Sequence, residues 1–501
     1  MIAVKSRVDA WLGRFTMYRL VLWVLAILVA YSMVLNLLGW LTFGLPEMLV
    51  HLVLCLGATY LSNRLLAAVF RVSPHSESSL ITGLLIYFLF WPAFGATDMA
   101  GVALACVLAS ASKYALAVRG RHIFNPAALG AFVTGLTGLN IATWWAATPA
   151  MLWLLVPGAV VVLYRIRKML MGSVFVVVST AVITIDLLGR SMTAGQAVWQ
   201  ALAQRPVLFF VGFMLSEPLT LPPRRWQQLV LAGVVGVVFA VPYNFGFVAN
   251  SPELALLVGN LLAFFVGQRG GVELVFKRSK PLTPGSTELT FEPRRPVRFA
   301  AGQYMELNLP HKSSDGKGRR RVFSITSPPG AAELTFGVGS TEPLSAAKKS
   351  LLSLNPGDTI TATAVGGDFL LPRDSAHPVL LIAAGIGITP YLSHLAADPG
   401  SGRDAVVLYL ARSREELAGI EQLEASGATV IARLSDGSTP PEFMIDAGTR
   451  RIDAARLQEL VPDVRDRKVM VSGSPATVES LRAVARAAGA KHVHVDSFAG
   501  Y

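Results

Sequence analysis

Cysteine is nearly absent from this chain of 501 residues, which contains two, Cys55 and Cys106. Two thiols cannot form a disulfide framework, a zinc site held by cysteines alone or an iron–sulfur cluster with four cysteine ligands, so these classes are excluded. Charge is also scarce: 15% of residues are charged and 53% are hydrophobic. Because an ordinary soluble domain has about 25% charged residues, the composition argues against a wholly soluble protein.

Acidic side chains are scarcest in the first 270 residues. This part contains 17 of the 44 basic residues and 7 of the 32 acidic ones, whereas residues 271–501 contain 27 and 25. The positive excess therefore lies where charges are fewest. This distribution argues against a nucleic-acid-binding surface and is typical of the loops of a membrane protein.

Long apolar runs begin at residue 18, and about 20 residues are enough to cross a bilayer as a helix. The first run is too long and too rich in Leu for a cleaved signal peptide, so it should remain as an anchor. We predict a bundle of about ten membrane-spanning helices, at 18–41, 46–68, 79–94, 97–118, 126–145, 149–164, 170–189, 198–215, 226–242 and 252–268.

Basic residues in the loops between these runs predict the orientation. They lie before the first run and after the second, fourth, sixth and eighth, and the opposite loops offer little beyond Arg190 and Arg205. An even number of helices then puts both termini on the cytoplasmic side of a bacterial inner (plasma) membrane. We predict three domains: a transmembrane domain at 1–270, an antiparallel β-barrel at 271–373 and an α/β domain with a parallel sheet at 374–501.

One polar segment precedes the fifth apolar run, at residues 119–130 with the sequence RGRHIFNPAALG. Asn125 followed by proline is typical of a helix start. Its backbone N–H groups, together with Arg121 and His122, could bind a phosphate. An ordinary helix cap facing the cytoplasm is the alternative, and on residue types alone it is the more common one.

Two further segments interrupt the apolar pattern. At residues 213–223 (FMLSEPLTLPP), Glu217 lies at the edge of a span, where an acid usually has a partner or a function, although a capped turn is the simpler explanation. At residues 144–151 (WWAATPAM), two Trp suit the aromatic belt at the outer interface, and Thr148 precedes a proline as at a helix start.

These segments, in this order, resemble a known family. Residues 78–268 are similar to the membrane subunit of the Na+-translocating NADH:quinone oxidoreductase and of the Rnf complex, on the stretches SLITGLLI, SKYALAVRGRHIFNPAALG, MLSEPLT and PELALLVGN. The resemblance implies ten helices around bound flavin, with Arg121 and Asn125 beside the flavin site. It also implies FMN attached by a flavin transferase to a Thr in a motif resembling S-G-A-T-P, for which Thr148 is the candidate.

The residues after 271 change character. Six short β-rich runs, punctuated by Gly, Pro and Asp, predict a small antiparallel barrel: VELVFK, ELTFEP, QYMELNLP, RRVFSITS, ELTFGVG and DTITATAV. From Pro378 strands alternate with helices, which predicts a parallel sheet with a nucleotide at the carboxyl ends of its strands. Gly385 and Gly387 follow the first of these strands, where a backbone without side chains can approach a pyrophosphate, although any strand-to-helix turn favours Gly.

The strand at residues 321–327 (RVFSITS) indicates a nucleotide cofactor more specifically than the two glycines do. Its Arg321, Phe323 and Ser324 can, in that order, meet a phosphate, stack on a ring and donate to a ring nitrogen. Residues 272–501 are similar to the whole two-domain module of the ferredoxin–NADP reductase family, whose R-x-[YF]-S motif these residues match. The resemblance implies that Arg321 pairs with the FAD pyrophosphate, Phe323 packs on the isoalloxazine and Ser324 hydrogen-bonds flavin N5.

The same resemblance assigns further residues. The residues that it assigns to the FAD site are Tyr304, Ser345, Lys348, Gly367 and Phe369. The residues that it assigns to the NAD(P)H site are Gly385, Gly387, Thr389, Pro390, Ser472 and Gly473. Ser472 stands where the family has Cys, and we expect catalytic roles for Ser324, Ser472 and the terminal Tyr501. Phe498 or Tyr501 should shield the flavin face that nicotinamide must reach. Arg412 could receive the 2′-phosphate of NADPH, or it could be a solvated loop residue.

The fusion of the two halves predicts a function. Hydride passes from cytoplasmic NAD(P)H to FAD, and electrons continue through FMN or another flavin in the membrane half to a quinone or an extracytoplasmic acceptor. One rival is a Na+ or H+ pump using Asp186 and Glu217. Another is a ferric-reductase-like flavocytochrome, which needs paired His on helices, whereas only His51 lies well inside a span. We expect membrane lipid as a partner, no nucleic acid and no metal site.

Overall fold

The computed structural model describes residues 17–72, 74, 76–118, 121–246, 248–266, 271–309, 320–342, 344–397 and 402–497, without the side chains of residues 121, 320, 363 and 364. The chain divides into two compact units. The helical unit lies within residues 15–270, and the C-terminal unit lies within residues 271–501.

The helical unit consists, over its described residues, of eleven α-helices and one two-residue hairpin. The helices are α1 (Met17–Leu37), α2 (Leu45–Val69), α3 (Ser76–Leu89), α4 (Ala96–Ala115), α5 (Pro126–Leu136), α6 (Leu152–Arg165), α7 (Met169–Gly189), α8 (Ala194–Ala203), α9 (Val207–Phe213), α10 (Arg225–Ala240) and α11 (Pro252–Val266). The hairpin strands are β1 (Ala117–Val118) and β2 (Arg121–His122).

Three of these helices, α1, α2 and α7, are long and apolar enough to cross a membrane. Two predicted spans are shorter than expected. The span at 126–145 ends as a helix at Leu136, because Gly138 takes a left-handed conformation (φ +74°) that terminates helices. The span at 198–215 is divided into α8 and α9 at Pro206, which lacks the N–H group that a continuous helix needs.

Trp144 and Trp145 lie inside the helical unit, 4% and 3% exposed. The Nε1 of Trp144 donates to Oε1 of Glu253 at 2.7 Å, and the Nε1 of Trp145 donates to the backbone oxygen of Tyr87 at 2.8 Å. The prediction that this pair joins an interfacial belt is wrong, because both indole N–H groups find acceptors in the interior.

The first part of the C-terminal unit is a six-stranded antiparallel sheet. Its strands are β3 (Val272–Thr283), β4 (Ser286–Pro293), β5 (Tyr304–Asn308), β6 (Arg320–Ser324), β7 (Leu334–Gly339) and β8 (Thr359–Gly366), in the order β6-β5-β8-β3-β4-β7. A bridge between Ile325 and Phe336 joins the two outermost strands, so the sheet closes into the predicted barrel. Alternate residues such as Phe276, Phe291 and Phe336 fill its interior, and α12 (Ala346–Leu352) follows β7.

The second part is a six-stranded parallel sheet in the order β12-β11-β10-β9-β13-β14. Its strands are β9 (Val379–Ala384), β10 (Ala405–Ala411), β11 (Thr429–Leu434), β12 (Ile445–Asp446), β13 (Lys468–Gly473) and β14 (Val493–Ser497). The helices are α13 (Thr389–Ala397), α14 (Ile420–Ala425), α15 (Ala454–Leu460) and α16 (Pro475–Ala487). Apolar cores cover both faces of the sheet, which explains why β9 reads as a continuous apolar run.

Candidate functional site

Strands β5 and β6 place the predicted FAD residues side by side. Tyr304 lies directly opposite Ser324 in the antiparallel pair, and Leu307 lies opposite Arg321. Arg321 is 1% exposed and Ser324 is 5% exposed, whereas Phe323 is half-buried. A guanidinium this deeply buried is rare in proteins, because burying a charge is costly unless other groups stabilise it. The strand therefore carries a buried cation and, three residues further along, a buried hydroxyl.

The ring of Tyr304 packs on the backbone at the end of β8. A Cβ atom at Gly366 would lie 3.1 Å from the Tyr304 Oη, and one at Gly367 would lie 3.1 Å from its Cδ1. Gln303 holds the same loop, because its Nε2 donates to the Gly367 oxygen at 3.1 Å. AGQY and GGDF, which are 65 residues apart in the sequence, therefore form one corner of the barrel.

Phe369 lies in the core under the parallel sheet. Its ring centroid is 5.6 Å from that of Tyr391 and 5.5 Å from that of His494. Its backbone oxygen lies 2.9 Å from Nε2 of His394 on α13, and since a carbonyl oxygen only accepts, that nitrogen donates. Burial lowers the pKa of His394 to about 4. Sequence reasoning missed this histidine, which has no neighbouring motif to mark it.

Ser345 and Lys348 are local partners at the start of α12. The Ser345 hydroxyl caps the helix by accepting a hydrogen bond from the backbone N–H of Lys348 at 3.3 Å. The Lys348 Nζ lies beside Gly339 at the end of β7, 3.3 Å from where a Cβ atom would be. The predicted second FAD segment is thus at the end of a barrel strand.

The two predicted nucleotide loops contact each other at the carboxyl ends of β9 and β13. A Cβ atom at Gly387 would lie 2.3 Å from the Ser472 oxygen and 2.8 Å from the Cα of Gly473, so only glycine fits. Thr389 and Pro390 begin α13 and are buried, and the Thr389 hydroxyl donates to the Ile386 oxygen at 3.0 Å. This arrangement gives a backbone surface, without side chains, at a helix start.

The hydroxyl of Ser472 is buried and has no hydrogen-bond partner within the described part of the chain. A buried polar atom without a partner is unfavourable by about 1–3 kcal/mol, so such an atom beside a loop that lacks side chains fits a ligand that supplies the missing bond. The position fits the carboxamide end of a nicotinamide.

The barrel and the parallel-sheet part meet at these loops. A Cβ atom at Gly337 on β7 would lie 2.6 Å from the Thr389 Cγ2. Three residues after the FAD motif, the Ser327 oxygen accepts a hydrogen bond from the hydroxyl of Ser393 on α13 at 2.7 Å. The strand that carries Arg321 and the helix that begins at Thr389 are therefore parts of one site.

Arg412 follows β10 and is exposed. Its Nη1 lies 3.5 Å from Oε1 of Glu416, and the Arg412 side chain is 79% exposed. An anionic group could therefore reach it without displacing a buried contact. Phe498 and Tyr501 lie outside the described residues.

No family model matches the chain. A ferredoxin–NADP reductase B of Sorangium cellulosum is 31% identical to it over 239 residues, which cover 44% of this chain and 94% of that protein. The chain belongs to the ferredoxin–NADP reductase family. The match falls in the C-terminal part of the chain, so the resemblance of the helical unit to a membrane subunit stays a prediction.

Other members and structures cover the same part. The reductase component of propane 2-monooxygenase from Rhodococcus jostii is 26% identical over 219 residues, 40% of this chain and 56% of that protein. The chain thus spans little more than half of this ferredoxin–NADP reductase relative. A cytochrome P450 reductase of Amycolatopsis, known from its crystal structure, aligns with 46% of the chain and 69% of its own at 24% identity and a TM-score of 0.39.

The helical unit of this ferredoxin–NADP reductase family member brings two of its polar segments together. Glu217 has the partners that its position predicts: Nε2 of His122 lies 2.8 Å from Oε1, and Nδ2 of Asn125 donates to Oε2 at 2.9 Å. Asn125 also caps α5 by accepting from the Ala128 N–H at 3.1 Å, and its own N–H donates to Oδ1 of Asn260 at 2.7 Å. The side chain of Arg121 is outside the described set.

FMN in the helical unit stays a prediction. A small cavity of about 50 Å³ lies beside Asn125, Ser216 and Glu217. The Thr148 hydroxyl is buried without a hydrogen-bond partner among the described residues. Its attachment to FMN likewise stays a prediction.

The residues that the rival functions would use, His51 for haem and Asp186 for an ion pump, contact nearby groups of the helical unit. Nε2 of His51 lies 3.3 Å from the Tyr87 oxygen and 3.8 Å from the Cys55 sulfur. Asp186 forms an exposed ion pair at 3.0 Å with Arg190, one turn along α7. Within the described ranges, no group of three or more His, Cys, Asp or Glu could hold a metal ion.

Proposed function

We propose that the chain is a membrane-bound oxidoreductase that takes electrons from NAD(P)H and delivers them to an acceptor at the membrane. The observation that carries this proposal is the contact between the barrel and the helix that follows the first nucleotide loop, through Gly337 of β7 against Thr389 and the hydrogen bond from Ser393 to the Ser327 oxygen. Bound FAD would accept hydride and release single electrons. The chain provides binding and orientation.

On the barrel, Arg321 would hold the FAD pyrophosphate. A planar guanidinium matches two phosphate oxygens, and an anion beside it would stabilise a charge that is 1% exposed. Ser324 would donate its hydroxyl proton to the ring nitrogen, since it is the buried hydroxyl of the motif and lies three residues after the arginine on the same strand. Tyr304 and Phe323 would cover the ring and exclude water.

On the parallel sheet, the bare backbone at Gly385 and Gly387 would receive the NAD(P)H pyrophosphate. The positive end of the dipole of α13, a nine-residue helix, would stabilise its charge, although the Thr389 N–H already bonds the Ile386 oxygen and Pro390 has no N–H group. Ser472 would use its unpartnered hydroxyl to orient the nicotinamide carboxamide. Arg412 would bind the 2′-phosphate and favour NADPH over NADH.

Membrane attachment is supported by the surface of the helical unit. Large apolar side chains that are more than half exposed occur along α1, α2 and α7, for example Trp23, Val53 and Ile185. In water such a surface would drive aggregation, whereas in lipid the exposure of apolar side chains is favourable. The basic residues after α2, α6 and α9 favour a cytoplasmic position for those loops, and we propose the same side of an inner membrane for the C-terminal unit.

A lipid-soluble quinone is the acceptor that we favour. It can collect electrons on the side of the membrane where NAD(P)H is oxidised and needs no redox group inside the helical unit. The alternative is an acceptor beyond the membrane, and inside-out vesicles separate the two. Added quinone should be reduced at the outward-facing C-terminal unit, whereas an impermeant acceptor trapped inside the vesicles should stay oxidised.

An anaerobic titration tests the central proposal. The full chain in detergent, loaded with FAD, should lose its flavin absorbance on addition of NADPH or NADH. Arg321→Lys keeps the charge but loses the planar fork, so we expect about tenfold weaker FAD binding. Val322→Ala, on the same strand with an exposed side chain, is the matched control and should bind FAD normally. Bound FAD that neither nucleotide reduces would refute the proposal.

A further inference from the structure

A cavity of about 660 Å³ lies at the amino-terminal edge of the parallel sheet. Arg465 and Lys468 line it ahead of and at the start of β13, Arg486 lines it from the last turn of α16, and Lys491 and His492 line it just before β14. The nucleotide loops follow the opposite ends of these strands. Along β13, the six residues from Lys468 to Gly473 span about 17 Å, so the cavity is separate from the NAD(P)H loops.

The charge of the cavity is strongly positive. Five Arg and Lys residues line it with one carboxylate, that of Asp466, whose Oδ1 lies 3.9 Å from Nζ of Lys491 with both groups mostly exposed. One of the five, Arg467, is paired with Asp404 and Asp463, which leaves four. Arg465 and Arg486 form no ion pair with any carboxylate in the described part of the chain. The net charge is therefore available to a ligand.

The walls of the cavity are rigid. Arg467, which is 7% exposed, bridges Asp404 and Asp463 at 2.8 and 2.7 Å and so fixes the segment between α15 and β13. The side chain of Arg465 lies flat on Gly489, where a Cβ atom would be 2.8 Å from its Cγ and Nε. Gly489 also has a φ of +101°, which only glycine adopts readily.

Lys468 stands at the inner end of the cavity. Its Nζ donates to the Leu370 oxygen at 3.4 Å. Burial, together with the nearby charge of Arg403, lowers the pKa of Lys468. A neighbouring anion would reverse this shift, so a bound anion would stabilise the lysine in its charged form.

We propose that this cavity binds a phosphate-bearing anion. Its volume lies within the range of small-molecule sites, about 300–1,000 Å³, and it can take a group the size of a nucleotide or a lipid headgroup. Arginine pairs with phosphate through two parallel hydrogen bonds, and lysine adds point charge, so Arg465, Arg486, Lys468 and Lys491 form a suitable set. A soluble polyphosphate and an anionic lipid share this chemistry.

Calorimetry with inorganic pyrophosphate tests the site. The full chain in detergent is first saturated with FAD, NADP+ and NAD+, so that the cofactor sites are closed to the probe. We expect one pyrophosphate per chain and at least tenfold weaker binding by Arg486→Glu/Lys491→Glu. Lys280→Glu/Arg451→Glu, an equal charge change at exposed positions elsewhere in the unit, should bind within twofold of the parent. Absence of binding, or equal binding by both double variants, overturns the proposal.

Hydrogen exchange separates the two sources of the anion. The full chain is placed in nanodiscs of phosphatidylcholine alone or with phosphatidylglycerol. Protection of residues 463–468 and 486–494 by phosphatidylglycerol, lost in Arg486→Glu/Lys491→Glu, assigns a lipid headgroup. Protection that requires added pyrophosphate in both lipids assigns a soluble ligand. If neither anion protects these segments, the site does not exist.

Discussion

Exposed apolar side chains distinguish the helical unit from the C-terminal unit. Among the described residues, all but two of the large exposed hydrophobic side chains lie in the helical unit, including Trp153 at 76% and Leu37 at 71% exposure. The two exceptions are Val322 and Ile445. Both units bury a large apolar core, so the difference lies in the outer surface. This difference supports the proposal that the helical unit lies in lipid and the C-terminal unit in water.

The interiors differ in how they satisfy polar groups. In the helical unit, hydroxyls bond back to their own helix, as Thr59 does to the Cys55 oxygen at 2.6 Å and Ser179 to the Phe175 oxygen at 2.7 Å. In the C-terminal unit, a buried arginine instead bridges two carboxylates. Bonds within one helix satisfy these hydroxyls without a neighbouring element, whereas the pair of Arg467 with Asp404 joins segments 63 residues apart. The helical unit also contains long-range bonds, such as that from Trp144 to Glu253.

The largest effect is expected when the same charge is introduced on the exposed apolar surface of the helical unit and on that of the C-terminal unit. Ile27 and Ile445 are equally exposed, at 54% and 52%, and Ile27 is the eleventh of the 21 residues of α1. Ile27→Arg should cost about 3 kcal/mol of membrane insertion, because an arginine near the bilayer centre is strongly disfavoured. Ile445→Arg should change stability by less than about 0.5 kcal/mol.

Membrane fractionation measures this pair. Ile27→Arg should lower the amount of chain that resists alkaline extraction, and Ile445→Arg should leave it at the parent level. Equal behaviour of the two variants would mean that α1 does not lie in lipid.

The two units also differ in the space around two of their glycines. Gly135 in α5 has open space around it, whereas Gly387 contacts the backbone of Ser472. Gly387→Ala must displace a nucleotide loop, and since a misplacement of about 1 Å can cost a hundredfold in rate, we expect kcat/KM for NAD(P)H to fall about a hundredfold. Steady-state turnover with a soluble acceptor measures it. Gly135→Ala should leave turnover unchanged, and a loss there would show that the effect is not specific to the loop.

The strands of the C-terminal unit could be predicted because their patterns are local. Alternation marks the barrel strand ELTFGV, whose buried and half-buried residues alternate in β7, and the fully buried VLLIAA forms β9. Strand β14 was missed because VHVDS is half-buried throughout and contains three polar residues. Helix α14 begins at Ile420, because Gly419 takes a left-handed conformation (φ +71°) just before it, and the sequence pattern alone does not give this bound.

Contacts between distant segments could not be predicted in the same way. Glu217 was expected to have a partner, yet nothing in the sequence names His122, which is 95 residues away. Trp144 and Trp145 are residues typical of an interfacial belt. Only the fold shows that Glu253 and the Tyr87 oxygen accept hydrogen bonds from their indole N–H groups. Local patterns determine elements, whereas partners depend on topology.

A pH dependence should occur in the C-terminal unit through His394. Its pKa is about 4 in the folded chain, below the ordinary value of about 6.5, so the unfolded chain binds the proton first as pH falls. Stability is fully present above pH 6.5 and is lost as pH falls toward 4, by about 2 kcal/mol between pH 7 and pH 5. The release of FAD on heating measures it.

His394→Gln is the informative variant, since an amide can still donate to the Phe369 oxygen without titrating. Its stability should change less than that of the parent over the same pH interval. His377→Gln, at an exposed position, should follow the parent. A parent and His394→Gln with identical pH profiles would rule out this histidine as the cause.

Arg412 is a single exposed charge of the C-terminal unit, and its proposed contact with the 2′-phosphate can be tested by substitution. Arg412→Ala should raise KM for NADPH about tenfold and leave KM for NADH unchanged, because a charge-assisted phosphate contact contributes roughly 1.5 kcal/mol. Arg451→Ala, also exposed, serves as the control. An equal change for both nucleotides would make Arg412 a solvated loop residue.

The smallest effect concerns two hydroxyls that look alike. Ser472 and Thr148 both have a buried oxygen without a hydrogen-bond partner among the described residues. Ser472 lies against Gly387 at the nucleotide loops, so Ser472→Ala should lower kcat/KM about fivefold, the loss of one hydrogen bond. Thr148 contacts no such loop, so Thr148→Val should change neither turnover nor flavin content, and the denatured parent should show no flavin fluorescence on a gel. A fluorescent parent band that Thr148→Val abolishes would instead show that FMN reaches this hydroxyl, and the helical unit would then carry electrons itself.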